Sequence, residues 1–210
     1  MGKTYGTAKK ARVYSIRVLD CSNRGRVSTV LDGIDYVSKA IAERGRPAVV
    51  SMSLGARYML SINNAIRKLH SEGIIMVAAA GNDRGDACNT SPASSRHLIT
   101  VGGTANGDGI YIDTNSGSCV DIFAPGSRVL AAGYRCVTCT RTFSGTSMAT
   151  PKVSGVAAIH LQREPGLGPD DMKLRLTSTA TPNVIDLSSL SSRYRSSTPN
   201  LLLYIESKLA

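Results

Sequence analysis

Ser147 lies in the string Phe143-Ser144-Gly145-Thr146-Ser147-Met148-Ala149-Thr150-Pro151, directly before a run of small apolar residues. That is where a buried helix is expected to begin. A helix N-terminus carries unpaired N–H groups and the positive end of the backbone dipole, and both stabilise an oxyanion forming beside a nucleophilic hydroxyl. A serine in this position can also be no more than an N-cap. Asn82 closes a second string, Val77-Ala78-Ala79-Ala80-Gly81-Asn82. Its amide can turn the chain after a strand or donate to a reacting oxygen. A third string, Cys136-Val137-Thr138-Cys139, has the spacing of a zinc half-site, a redox motif or a short-loop disulfide. Zinc would require two further soft ligands, and neither a second C-x-x-C nor a paired histidine accompanies it.

The elements that must position these groups alternate along the chain. Residues 12–19, 47–54 and 74–80 are β-rich apolar runs, and 98–101 and 120–123 look like further short strands. Residues 28–41 repeat Val30, Leu31, Ile34, Val37, Ala40 and Ile41 near a period of 3.6, with Gly45 and Pro47 as stops. Residues 60–72 place Ile62, Ile66 and Leu69 on one helical face before Gly73. Residues 147–161 predict a closely packed helix that tolerates Pro151 in its first turn, and 169–176 a shorter one. The Gly/Ser/Thr/Asn-rich stretch 102–143 reads as loops with short strands. The Ser/Arg-rich stretch 188–197 reads as an irregular loop before 201–204 return to the core. Continuous apolar strands separated by helices specify a mostly parallel sheet covered on both faces, in one α/β domain.

Composition removes other classes. With 210 residues, 42% hydrophobic and 19% charged, the chain can bury a core and is not a disordered segment. No apolar run approaches the roughly 18 residues of a membrane span, so no membrane partner is expected. The net charge is +10, but the densest cluster is only Lys9, Lys10 and Arg12, without interleaved aromatics; no nucleic-acid partner is expected. The start, Met1-Gly2-Lys3-Thr4-Tyr5-Gly6, has no apolar h-region and predicts no signal peptide in this chain.

The nine residues around Ser147 resemble the nucleophile motif of the subtilisin-like serine proteases, the subtilases (peptidase S8). The resemblance extends from about Tyr5 to Tyr204. It implies a three-layer subtilisin-like α/β fold with helices on both faces of the sheet, and an acyl-enzyme chemistry in which Ser147 is the nucleophile and Asn82 completes the oxyanion hole. Ala79, Ala80 and Gly81 then form a wall of the primary specificity pocket. The string Ser51-Met52-Ser53-Leu54-Gly55 resembles the segment that pairs with substrate by strand addition, through Ser53, Leu54 and Gly55. Asn23, Arg24 and Gly25 match the opposite rail. Ser91-Pro92-Ala93-Ser94, Val120-Asp121-Ile122-Phe123-Ala124-Pro125-Gly126 and Thr198-Pro199-Asn200-Leu201-Leu202 point to the proteinase K/aqualysin branch. That branch implies a structural calcium on the carbonyls of Arg96 and Leu98 and the carboxylate of Asp121, and no organic cofactor. It also implies a Cys88–Cys119 disulfide. A secreted family favours a local Cys136–Cys139 disulfide. Cys21 is left unpaired, because relatives pair it with a cysteine near the catalytic histidine motif. Peptide or protein substrates and a propeptide inhibitor are the implied partners, and the complete parent is expected to be extracellular.

One departure governs the activity expected. Subtilases order their triad Asp, His, Ser, and the Asp and His motifs precede the segment matched by Tyr5–Lys10. Neither motif occurs in these 210 residues, which therefore read as the C-terminal portion of a single subtilase catalytic domain. The three histidines are His70, His97 and His160. His160 falls roughly 20 Å along the helix from Ser147, whereas a base must come within ~3 Å of the hydroxyl. The chain alone is thus expected to be catalytically inert. The alternative reading is a non-catalytic, subtilase-derived binding module of the secreted, convertase-like kind. Lys152 stands where the family usually carries histidine.

Overall fold

A computed structural model describes residues 2, 4–45, 47–133 and 135–205. The main sheet contains β1 (Val49–Met52), β3 (Ile75–Ala79), β5 (Ile99–Thr104), β6 (Ile122–Pro125), β9 (Thr181–Pro182) and β10 (Leu201–Leu202), in the order β1-β3-β5-β6-β10-β9. All its pairings are parallel except β10 with β9. Two small antiparallel pairs lie outside it: β2 (Ala56–Arg57) with β4 (Thr90–Ser91), and β7 (Val129–Ala132) with β8 (Thr140–Phe143). The helices are α1 (Val27–Arg44), α2 (Leu60–Ser71), α3 (Thr146–Arg163), α4 (Pro169–Thr179) and α5 (Ser192–Arg195).

The unbroken apolar character of β3 follows from burial on both faces. Successive side chains of a strand point to opposite sides. Ile75 and Val77 join Val153, Val156 and Ala157 of α3 and Met172 and Leu176 of α4. Met76 and Ala78 join Ile34 and Val37 of α1 and Ile62, Ile66 and Leu69 of α2. A solvated face would have required polar residues at every second position; none occurs, and all five residues are buried. The layers are therefore α1 and α2, the sheet, then α3 and α4, as the resemblance implied.

Two segments differ from expectation. Residues 12–19 form no strand. Among the described residues their backbone makes no backbone hydrogen bond, and Val13 and Tyr14 are each 59% exposed. Ile16 and Val18 nevertheless lie against Gly33 of α1. β-propensity is realised only beside another strand's backbone groups, and this segment has no such neighbour. Within 188–197 the chain forms the helical turn α5. Arg195 holds it by donating to the carbonyls of Ser188 and Leu190, a local closure that periodicity cannot reveal.

Phe123 is fully buried, with its ring over Gly102 so closely that a Cβ there would stand 2.2 Å from it. Phe123→Ala is expected to lower unfolding free energy by about 3–5 kcal/mol. Val13→Ala should change it by no more than about 0.5 kcal/mol. Urea denaturation of the two variants checks both.

Candidate active site

Parallel strands all present their carboxyl ends on one side of the sheet, and three of these ends meet the first turn of α3. Gly145, its N-cap, donates from its N–H to Gly126 O just after β6 (2.8 Å). Ser53, just beyond β1, donates from its hydroxyl to Ser147 O (2.9 Å). Asn82, three residues beyond β3, accepts at Oδ1 from the Thr146 N–H (2.9 Å) and the Thr146 hydroxyl (3.1 Å). The Thr146 N–H can only donate, so the carbonyl side of the Asn82 amide faces inward and Nδ2, a donor, faces out. Among the described residues Nδ2 has no hydrogen-bond partner, and neither has Ser147 Oγ.

Two glycines make this geometry possible. Gly145 adopts φ +146°, and a Cβ there would lie 3.6 Å from Asn82 Nδ2 and 3.7 Å from Ser147 N. That backbone conformation favours glycine, and Gly145 lies between the Asn82 amide and the first turn of α3. Gly81 adopts φ +105°, and a Cβ would meet Asn115 Nδ2 at 2.3 Å.

Asn115 was not singled out by the sequence, where it is one Asn in a loop-like stretch. It is buried and fully used. Its Nδ2 donates to Ala80 O (3.0 Å), its Oδ1 accepts from the N–H groups of Asp83 (2.9 Å) and Gly85 (3.0 Å), and its own N–H donates to Gly81 O (2.9 Å). It thus brackets Asn82 on both sides. The signal available in sequence was only Thr114-Asn115-Ser116-Gly117, a common turn composition.

The other expected site residues fall into two groups. Ser53 and Gly55 are exposed and Leu54 half-buried, while Ala79 and Ala80 are buried and Gly81 half-buried behind Asn82. Asn23, Arg24 and Gly25 form an exposed turn held by Asp20 Oδ1, which accepts from Ser22 N–H and Arg24 N–H. This turn rests on residues 18 and 19 and makes no hydrogen bond to the Ser53 segment or to α3.

Among the described residues no histidine hydrogen-bonds to Ser147. His70 pairs with Asp170 (3.0 Å), and its ring lies tilted against that of His97, centroids 4.9 Å apart. Burial, followed by the charge of His70, pushes His97 below the ordinary histidine range. His160 is buried near the far end of α3. Lys152 is half-buried, and desolvation lowers its ammonium pKa. Among the described residues the site presents the Ser147 hydroxyl in the first turn of α3, next to the Asn82 amide that Thr146 holds.

The residues expected to hold calcium do converge, but on a different cation. Lys173 Nζ of α4 lies 3.4 Å from Arg96 O, 3.0 Å from Leu98 O and 2.7 Å from Asp121 Oδ1. These donors do not fit a calcium ion with Lys173 among them. Burial raises the Asp121 carboxyl pKa, against the opposing pull of Lys173 and the Thr100 amide. Cys88 is bonded to Cys119 (Cα–Cα 5.2 Å) and Cys136 to Cys139 (Cα–Cα 5.1 Å), and Cys21 is free and exposed.

The fold is a mostly parallel α/β sheet with helices on both faces. The chain belongs to the subtilase family (peptidase S8), which residues 2–197 match. It is 43% identical to the extracellular serine proteinase of Thermus sp. (strain Rt41A), over 97% of this chain and 47% of that protein. It is 44% identical to the cuticle-degrading protease of Metarhizium anisopliae, over 87% of this chain and 47% of that protein. The crystal structure of a cold adapted subtilisin-like serine proteinase superposes with a TM-score of 0.89 at 40% identity, covering 98% of this chain and 71% of that one. The chain spans about half the length of the curated relatives it matches.

Two outcomes follow from this geometry. Asn115→Ala should cost about 2 kcal/mol in urea unfolding, because it leaves buried backbone groups without partners. Ellman's reagent should titrate one thiol in the native chain and none in Cys21→Ser.

Proposed function

We propose that this chain is the nucleophile-bearing, C-terminal portion of the catalytic domain of an extracellular, proteinase K-like serine endopeptidase. In the complete enzyme Ser147 Oγ attacks the scissile carbonyl, and its proton passes to a histidine outside this sequence. The tetrahedral oxyanion accepts hydrogen bonds from Asn82 Nδ2 and the Ser147 amide. Ser53, Leu54 and Gly55 pair with the substrate backbone, Asn23, Arg24 and Gly25 form the facing rail, and Ala79, Ala80 and Gly81 wall a pocket suited to apolar P1 side chains. The observation that carries this reading is the Asn82 amide, whose Oδ1 is held by Thr146, the neighbour of Ser147, so that its Nδ2 is left to donate elsewhere. The two disulfides suit an oxidising compartment, as does the word extracellular in a relative's name. A propeptide is the natural regulatory partner of such an enzyme.

The chain on its own lacks the base, and losing that partner costs on the order of a millionfold in turnover. Purified chain is therefore expected to hydrolyse a chromogenic peptide no faster than its Ser147→Ala variant. Turnover abolished by Ser147→Ala would refute inertness while leaving the nucleophile assignment intact. The second reading, a non-catalytic binding module, is favoured by the same lack of a base. Saturable binding of the peptide by both proteins, unaccompanied by cleavage, would support it.

A further inference from the structure

We propose that Lys173 is the resident cation of this chain at the Arg96–Leu98–Asp121 site, and that its ammonium replaces a divalent ion there. Three acceptors point at one centre: two backbone carbonyls from the turn before β5 and a carboxylate oxygen from the residue before β6. An ammonium has three N–H donors and no acceptor, so it matches this set of oxygens one for one. The carboxylate is oriented for the purpose. Asp121 Oδ2 accepts from the Thr100 N–H (2.8 Å), and the Asp121 N–H donates to Thr100 O (2.9 Å), leaving Oδ1 for Lys173. Only 27% of the Lys173 side chain and 18% of that of Asp121 are exposed, so the pair is shielded from competing water. The flanking residues Met172 and Leu176 anchor α4 in the core, which delivers the lysine stem to the site.

Calcium requires six to eight oxygens at about 2.3–2.6 Å. Placed among these three, it would stand within roughly 3 Å of the ammonium, two cations in a half-buried site. Lysine and a divalent ion therefore exclude one another. A tethered cation also does not dissociate, so the link from α4 to the turns before β5 and β6 is independent of metal concentration.

The experiment is thermal unfolding of the full chain in excess EDTA and in millimolar calcium, with Lys173→Met, Lys173→Ser, Lys173→Arg and Asp121→Asn variants. Wild type is expected to melt at the same temperature in both buffers. Lys173→Met should melt lower in EDTA by roughly 5 °C, since it strands a shielded carboxylate. Lys173→Ser, which opens the space, should recover part of its loss in calcium but not in EDTA. A rise in the wild-type melting temperature with calcium that disappears in Asp121→Asn would overturn the proposal, as would a Lys173→Met variant as stable as wild type. If Lys173→Met does not fold, wild type and Lys173→Arg decide. Metal-insensitive melting in both supports the proposal, and a calcium-dependent rise lost in Asp121→Asn refutes it.

Discussion

The whole arrangement hangs on α3 lying across a parallel sheet with its first turn at the carboxyl ends of the strands. Parallel strands leave their ends on one side, and a buried helix packed against them brings its unpaired N–H groups to that same side. Ala149, Val153, Val156 and Ala157 are buried beneath the sheet, and their small size lets helix and strands approach. Ser147 is half-exposed because it lies in the helix's first turn, at the rim of that contact. The positions of Ser147, of Asn82 and of the segment after β1 are consequences of this packing.

Fine positioning is done by amides. Asn115 uses both ends of its side chain to shape the turn after β3, and Thr146 then orients Asn82 within that turn. The partners of Asn115 lie in the turn after β3, and the partner of Asn82 is the first residue of α3. Asn115 and Thr146, which support the site, are buried and satisfied, and a buried polar network left half-satisfied would be worse than none.

A shared fold does not carry every family feature with it. The chain belongs to the subtilases, and the oxygens that the resemblance assigned to calcium do converge. The cation among them is the chain's own lysine. Cys21 similarly stands exposed and free while the other four cysteines are paired.

Much of this was legible in the residues themselves. The helices α1 and α2 are visible as 3.6-residue periods, and β3 as an unbroken apolar run, because burial on one or two faces writes directly into residue type. Ser147 and Asn82 stand out because their strings are long and specific. Other features depend on groups distant in the chain. Whether residues 12–19 become a strand depends on a neighbouring backbone rather than on their own β-branched content. Asn115 reads as a turn residue until the carbonyl of Ala80 is seen beside it. Lys173 reads as a solvated helix charge until the chain folds Arg96, Leu98 and Asp121 around it. Local composition records which side chains are buried; only the tertiary structure decides which polar groups, some 75 residues apart in the case of Lys173 and Leu98, satisfy one another.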